Sequence, residues 1–384
     1  MPPTTPPSVP VSTDDPVNAA ILSVSEDQIE GFSATPFADI ARRSEVPLDT
    51  VLARIAAMLE AGVIRRVRQT IMATSLAPGA LVAWRVPPEK LNDAFEWMAA
   101  NDPFTGHVVI RTTDEATAGS QYRLWTTLKV PQGFSMEKHG RLLCEKTGAE
   151  AFRLMPAKKM FALGVGHIRR RKLQPGDKSD APGRVIDTQI VQLDEQAWRV
   201  LAAIKRELSI DEIAADPWRA RAAEIGLPLE EFLQVGRRLN DKGVIGRFST
   251  FLEHVKKVRA NDDQAVTRYN ALFHWRVPRG REMAAGLEVG RFHCMTHAYW
   301  REGGPEFQNV NIMGVCHGLE KEKVLAHKAA IDEHLAATGI DVDYTSVFWG
   351  GRSEIKPSEI LPEVYEAWCA EMGVTPGTMR VEGS

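Results

Sequence analysis

At 384 residues the chain is longer than one ordinary domain of roughly 100–200 residues. Its 47 Lys+Arg against 50 Asp+Glu give a net charge of −3, with 44% apolar and 25% charged residues, so no dominant basic field is present for indiscriminate binding to nucleic acid. No apolar run reaches the roughly 18 residues of a membrane span, no charged-then-apolar leader opens the chain, and Cys144, Cys294, Cys316 and Cys369 form no C-x-x-C; a soluble, cytoplasmic protein with reduced thiols and no metal site of its own is expected.

Residues 1–17 carry six prolines in their first sixteen positions and read as a disordered tail. From 18 to 76 the pattern is that of a winged helix–turn–helix. Pro36-Phe37 opens one helix, and Leu48, Leu52, Ile55 and Leu59 line one face of the next. Gly62 stands where a helix C-cap glycine belongs, ahead of a strand beginning Val63-Ile64-Arg65-Arg66. Residues 77–168 alternate differently. Strand 79–87, helix 88–100, strands 105–113 and 121–130, helix 135–148 and a final strand near 150–162 give βαββαβ, the ferredoxin-like order. Residues 169–185 mix Pro, Gly and charge and read as a linker.

The pattern then repeats. Residues 186–252 predict a second winged helix, with Pro217-Trp218, the apolar set Leu229, Phe232, Leu233 and Leu239, and Gly243-Val244-Ile245. Residues 265–355 predict a second βαββαβ unit: strand 269–277, helix 280–288, strands 292–301 and 307–316, helix 319–338 and strand 341–349. Residues 356–384 are left as a C-terminal tail. Matched landmarks include Trp84-Arg-Val-Pro with Trp275-Arg-Val-Pro, and the strand of His107 and Arg111 with that of His297 and Arg301. They recur 181–191 residues apart in the same order, the mark of a tandem duplication. The expected fold class is α+β, two copies of a winged helix plus a ferredoxin-like domain. Each antiparallel sheet has helices on one face, so its other face needs cover, and the expectation is that the two sheets pack together.

A winged helix followed by βαββαβ resembles the Lrp/AsnC architecture. Pro36-Phe-Ala-Asp-Ile-Ala, Gly62-Val-Ile-Arg-Arg, Trp84-Arg-Val-Pro, Tyr122-Arg-Leu-Trp125, Thr296-His297-Ala-Tyr299-Trp-Arg301 and His317-Gly318 are similar to siroheme decarboxylases within that architecture, in the fused form of two subunits. The resemblance implies removal of two acetate carboxyl groups from siroheme, giving didecarboxysiroheme for heme or heme d1, with two essential histidines. It implies no organic cofactor, the iron arriving with the tetrapyrrole, and leaves a homodimer or a sister subunit as protein partner. The copies differ. Where copy two has Ala298-Tyr299-Trp300, copy one has Val108-Val109-Ile110, and Lys129 stands near the place of His317. Copy two is therefore expected to hold the main pocket.

Loss of CO2 leaves an electron pair that must be protonated, and imidazole can deliver a proton near neutral pH. His297, Tyr299 and Arg301 fall at i, i+2 and i+4 of one strand and so share a face. They are the expected catalytic surface, with His317 or His107 as second histidine. A substrate rimmed with carboxylates calls for guanidinium groups: Arg301, Arg111, Arg65, Arg66 and Arg247 are the candidates, and Trp125 and Met313 could lie on the flat ring. His139, His167, His254, His293, His327 and His334 read as structural or surface histidines. The competing class is a DNA-binding regulator that senses a tetrapyrrole. Helix 47–60 has Arg54 against Asp49 and Glu60, and helix 228–241 has Arg237 and Arg238 against three acids. Acidic first turns would repel phosphate, which argues against DNA reading.

Overall fold

In the computed structural model, residues 9–72, 75–163, 172–186, 190–253 and 268–382 are described; His167, His254 and the start of the linker lie outside them. In chain order the first part comprises α1 (Pro16–Ser25), β1 (Ile29–Glu30), α2 (Pro36–Ser44), α3 (Leu48–Glu60) and β2 (Ile64–Ile71). The first ferredoxin-like module follows with β3 (Gly79–Arg85), α4 (Leu91–Asn101), β4 (Thr105–Thr112), β5 (Leu124–Lys129), α5 (Met136–Thr147), β6 (Ala151–Pro156) and β7 (Lys159–Leu163). The second winged helix comprises α6 (Glu195–Lys205), α7 (Arg219–Glu224), α8 (Leu229–Asp241) and β8 (Ile245–Leu252). The second ferredoxin-like module has β9 (Tyr269–Arg276), α9 (Glu282–Gly290), β10 (Met295–Trp300), β11 (Ile312–Gly318), α10 (Lys321–Ala337) and β12 (Tyr344–Ile355), and α11 (Pro362–Glu371) closes the chain. Among the described residues no helix is long and apolar enough to cross a membrane.

The chain forms two compact units, and they sort by module type rather than by copy. Of the described residues, one contains 9–72 and 191–253, the other 75–163, 173–186 and 269–382. In the first unit both winged helices share a three-stranded sheet of order β1-β8-β2. Gly62 and Gly243 take positive φ (73° and 68°) where α3 and α8 give way to these strands, a conformation that favours glycine. The expected disorder of 1–17 fails for its described part. Asp15 caps α1 by accepting from the Val17 and Asn18 amides, and Asn18 donates to the Pro10 and Ser12 carbonyls. Capping and burial of Asn18 fix this stretch despite its prolines. Arg54, the basic residue of α3, is held by the Pro10 carbonyl and Asp15 at 3.1 and 3.2 Å.

The second unit is built on one nine-stranded antiparallel sheet, β6-β3-β5-β4-β12-β9-β11-β10-β7. Each copy keeps the ferredoxin-like order, and β4 of copy one pairs with β12 of copy two. The two sheets are thus joined edge to edge, a correction to the picture of two separate packed sheets. Their helix-free faces do meet: Trp125 lies 5.2 Å, centroid to centroid, from both Phe307 and Phe348, within a cluster that takes Val109 and Met155 from copy one and Leu272 and Met313 from copy two. The reason is visible in the strands that end each copy. The expected single strand 150–162 is two: β6 pairs with β3 at one edge, and after Ala157-Lys158 β7 pairs with β10 at the other. Two residues joining opposite edges oblige the sheet to curl. β12 does the same without a break. It leaves β9 at Gly350 and continues along β4, with an irregularity between Gly350 and Ser353.

The helical faces bury separate cores, one around Trp84, Phe95, Phe104 and Leu143, the other around Phe273, Trp275, Val289 and Ile331. The segment 356–384 is no simple tail. Tyr365, Trp368 and Cys369 of α11 are buried in the first of these cores, and His139 bridges Tyr365 (3.0 Å) and Asp102 (3.4 Å) there.

Candidate functional site

The strand β10 presents its residues as alternation requires. Ala298 and Trp300 pack into the helix-side core, and His297 and Tyr299 face the other way. His297 and Tyr299 stack, rings 6.0 Å apart and 16° from parallel. The Arg301 guanidinium carbon lies 4.3 Å from the centre of the Tyr299 ring, a cation–π contact. Arg301 also donates to the Met155 carbonyl of β6. Burial raises the Tyr299 pKa above that of an ordinary phenol, so the ring stays a neutral donor, and burial lowers that of Arg301.

Thr296 links the two histidines of copy two. Its hydroxyl donates to the Val315 carbonyl (3.0 Å) and lies 3.2 Å from His297 Nδ1 and 3.5 Å from His317 Nδ1. A hydroxyl whose hydrogen is committed to a carbonyl can only accept from imidazole. That arrangement suits the His297 tautomer with its hydrogen on Nδ1.

Strand pairing places the copy-one equivalents. His107, Val109 and Arg111 of β4 face Thr127 and Trp125 of β5 as His297, Tyr299 and Arg301 of β10 face Val315 and Met313 of β11. In this frame Lys129 is the counterpart of His317: it pairs with Gly79, as His317 pairs with Asn270. Arg111 is 5% exposed and donates to the Phe348 carbonyl (3.2 Å) and to Asn270 Oδ1 (3.3 Å). Phe348 is the β12 residue equivalent to Met155, so each arginine reaches across to the closing strand of the other copy. Burial brings the Arg111 pKa down to about 10. Burial, with the Arg301 charge behind it, brings Lys129 down to about 8.

Three cations thus stand on the helix-free face, and among the described residues none of Arg111, Arg301 and Lys129 has a carboxylate in ion-pair contact. Buried charge without a counter-charge is costly. An anionic ligand is the partner such a face is suited to.

The other candidates divide. Trp125 and Met313 are fully buried in the central cluster, and the indole donates to the Tyr122 carbonyl at 2.7 Å. Arg65, Arg66 and Arg247 belong to the first unit. There Arg66 pairs with Glu207 (3.2 Å) and Arg247 donates to the Glu26 carbonyl (3.3 Å). Four polar residues of the helix-free face escaped sequence reasoning as site residues: Lys129, Asn270, His274 and Thr296. Alternation in Phe273-His274-Trp275 was the available signal, since two core aromatics oblige the histidine between them to face the opposite side. Of the histidines read as structural or surface groups, His139 and His327 are buried, His293 lies against Ser179 and His334 against Glu288.

Residues 76–162 match the AsnC-like ligand binding domain. The chain is 24% identical to a siroheme decarboxylase of Hydrogenobacter thermophilus over 88% of its length and 93% of that protein. It is 23% identical to the siroheme decarboxylase NirDL subunit of Paracoccus pantotrophus over 78% of this chain and 85% of that one. The crystal structure of a siroheme decarboxylase NirDL superposes with a TM-score of 0.64 at 19% identity, covering 93% of this chain and 98% of that one; its co-complex with an iron-uroporphyrin III analogue gives 0.62. The likeness to these structures shows the fold.

Proposed function

We propose that this chain is a fused, two-module siroheme decarboxylase, which removes the carboxyl groups of two acetate side chains of siroheme, giving didecarboxysiroheme, on the helix-free face of its curled sheet. The observation that carries this reading is the set of cations without acidic partners among the described residues, Arg111 buried and Arg301 and Lys129 half-buried, beside the stacked column of His297 and Tyr299. A macrocycle rimmed with carboxylates supplies the missing counter-charges.

In each turnover the bond between methylene and carboxyl carbon breaks, CO2 leaves, and the electron pair left on the methylene carbon takes a proton. Arg301, held by Tyr299 and the Met155 carbonyl, is proposed to fix the reacting carboxylate. His297, oriented through Thr296, is proposed to deliver the proton, with His317 on the same hydroxyl as second histidine. His107 and Arg111 serve the copy-one side. Tyr299 keeps the imidazole and guanidinium in one plane stack and, being neutral, adds no repulsion. No organic cofactor enters the proposal; the iron comes with the substrate. The winged helices are read as packing modules, since Arg54 is already engaged with Asp15 and the first turns of α3 and α8 carry Asp49, Glu230 and Glu231. A cytoplasmic location and a second copy or sister subunit as partner complete the reading.

Anaerobic incubation with siroheme followed by mass spectrometry tests it. Loss of two CO2 masses is the expected outcome; retention of unchanged siroheme would make the chain a carrier, and a salt-sensitive gel shift with DNA would make it a regulator.

A further inference from the structure

His274 of β9 is completely buried on the helix-free face, and neither ring nitrogen has a hydrogen-bond partner among the described residues. It lies among aromatic rings, 5.0 Å from Phe348 and 6.0 Å from Trp125. Arg111 Nε is also buried and unpartnered. Asn270, four residues before His274 on the same strand face, accepts from both terminal nitrogens of Arg111 (3.3 and 3.4 Å). Polar atoms left this way in an interior are costly unless a ligand satisfies them.

We propose that Arg111, Asn270 and His274 form a second carboxylate-binding subsite, and that His274 takes up one proton from solvent when a carboxylate occupies it. The identity of the anion rests on the decarboxylase reading; the subsite itself rests on geometry. Burial first and Arg111 second hold the His274 pKa down to about 3, so the ring is neutral. Other titratable groups on this face are His107 of β4, Tyr122 and Lys129 beside and on β5, His297, Tyr299 and Arg301 along β10, His317 of β11 and Tyr344 of β12, the last bonded to Glu115 at 2.6 Å. Arg111 is the charge that acts on His274. A carboxylate beside Arg111 cancels that charge and offers an acceptor, and both effects favour the imidazolium. The chemistry has use for such a group. Each R–CH2–COO⁻ consumes one H⁺ to give R–CH3 and CO2, and siroheme requires this twice.

The test uses the full chain with an iron-uroporphyrin III analogue, in weak buffer at about pH 6.5, where an unperturbed imidazole is half-protonated. An indicator dye reads proton uptake on binding. Wild type should take up about one proton more per bound tetrapyrrole than His274→Gln, and Arg111→Met should weaken binding roughly 10- to 100-fold. Equal uptake in wild type and His274→Gln overturns the proposal. Should the glutamine variant not fold, histidine Cε1 NMR of wild type decides: binding must add one imidazolium from a previously neutral buried ring, and no such change overturns it. With siroheme as ligand the two readings separate. An uptake difference without CO2 loss would sink the decarboxylase reading and keep the subsite; CO2 loss with equal uptake would do the reverse.

Discussion

The two halves of the curled sheet use one scaffold for two electrostatic situations. Arg111 and Arg301 occupy equivalent positions and each reaches a carbonyl on the other copy's closing strand, Phe348 and Met155. Around Arg301 the strand supplies Tyr299 and His297 in a stack, with Thr296 tying in His317. Around Arg111 the strand keeps His107 but has Val109 in place of the tyrosine, and a further imidazole, His274, comes from β9. Duplication preserved the backbone geometry, the guanidinium and one histidine; divergence changed the groups around them. Under the proposed function, two similar carboxylates of one macrocycle would meet two different surroundings.

The comparison breaks most directly at the histidines. His297→Ala should lower decarboxylation by about 10²- to 10⁴-fold, the usual contribution of a positioned proton donor, while His107→Ala should cost far less. Equal losses, measured as CO2 release in single turnovers, would erase the distinction between the halves. Next in size is the C-terminal clasp on the copy-one module. Trp368→Ala empties a large buried site and should destabilise the second unit by about 3–5 kcal/mol, seen as a lower midpoint in urea. Because α11 packs on copy one, an unchanged midpoint would show that this module stands without it.

Lys129 against His317 sharpens the comparison through pH. The Lys129 ammonium, brought down to about 8, is charged below that pH and neutral above it. Affinity for an anionic tetrapyrrole should therefore fall as pH rises through about 8, and Lys129→Met should remove that limb while lowering affinity at neutral pH. The same limb in the variant would assign it to another group. The smallest effect concerns the first unit. Arg54→Ala should leave decarboxylation unchanged and release the tie to Asp15 and the Pro10 carbonyl, read as faster amide exchange in residues 9–18. A lowered turnover would give that unit a part in the reaction.

Much of this protein is legible in one dimension. The duplication follows from repeated landmarks, the α+β order from periodicity, and the shared face of His297, Tyr299 and Arg301 from the two-residue repeat of a strand. These are local properties, set by the backbone within a few residues. What lies between strands is not local. One nine-stranded sheet rather than two depends on β12 pairing with β4 and on two residues carrying the chain from β6 to β7. His274 escaped notice because its neighbours in space, Arg111 and Trp125, are some 150 residues away in sequence. The ordered residues 9–17 and the buried α11 escaped for a related reason: their composition suits a tail, and only the surfaces they cover hold them in place. Chain chemistry settled which face each side chain takes, because alternation is a covalent property; packing settled which faces meet, because that is decided by what the remote halves bury together.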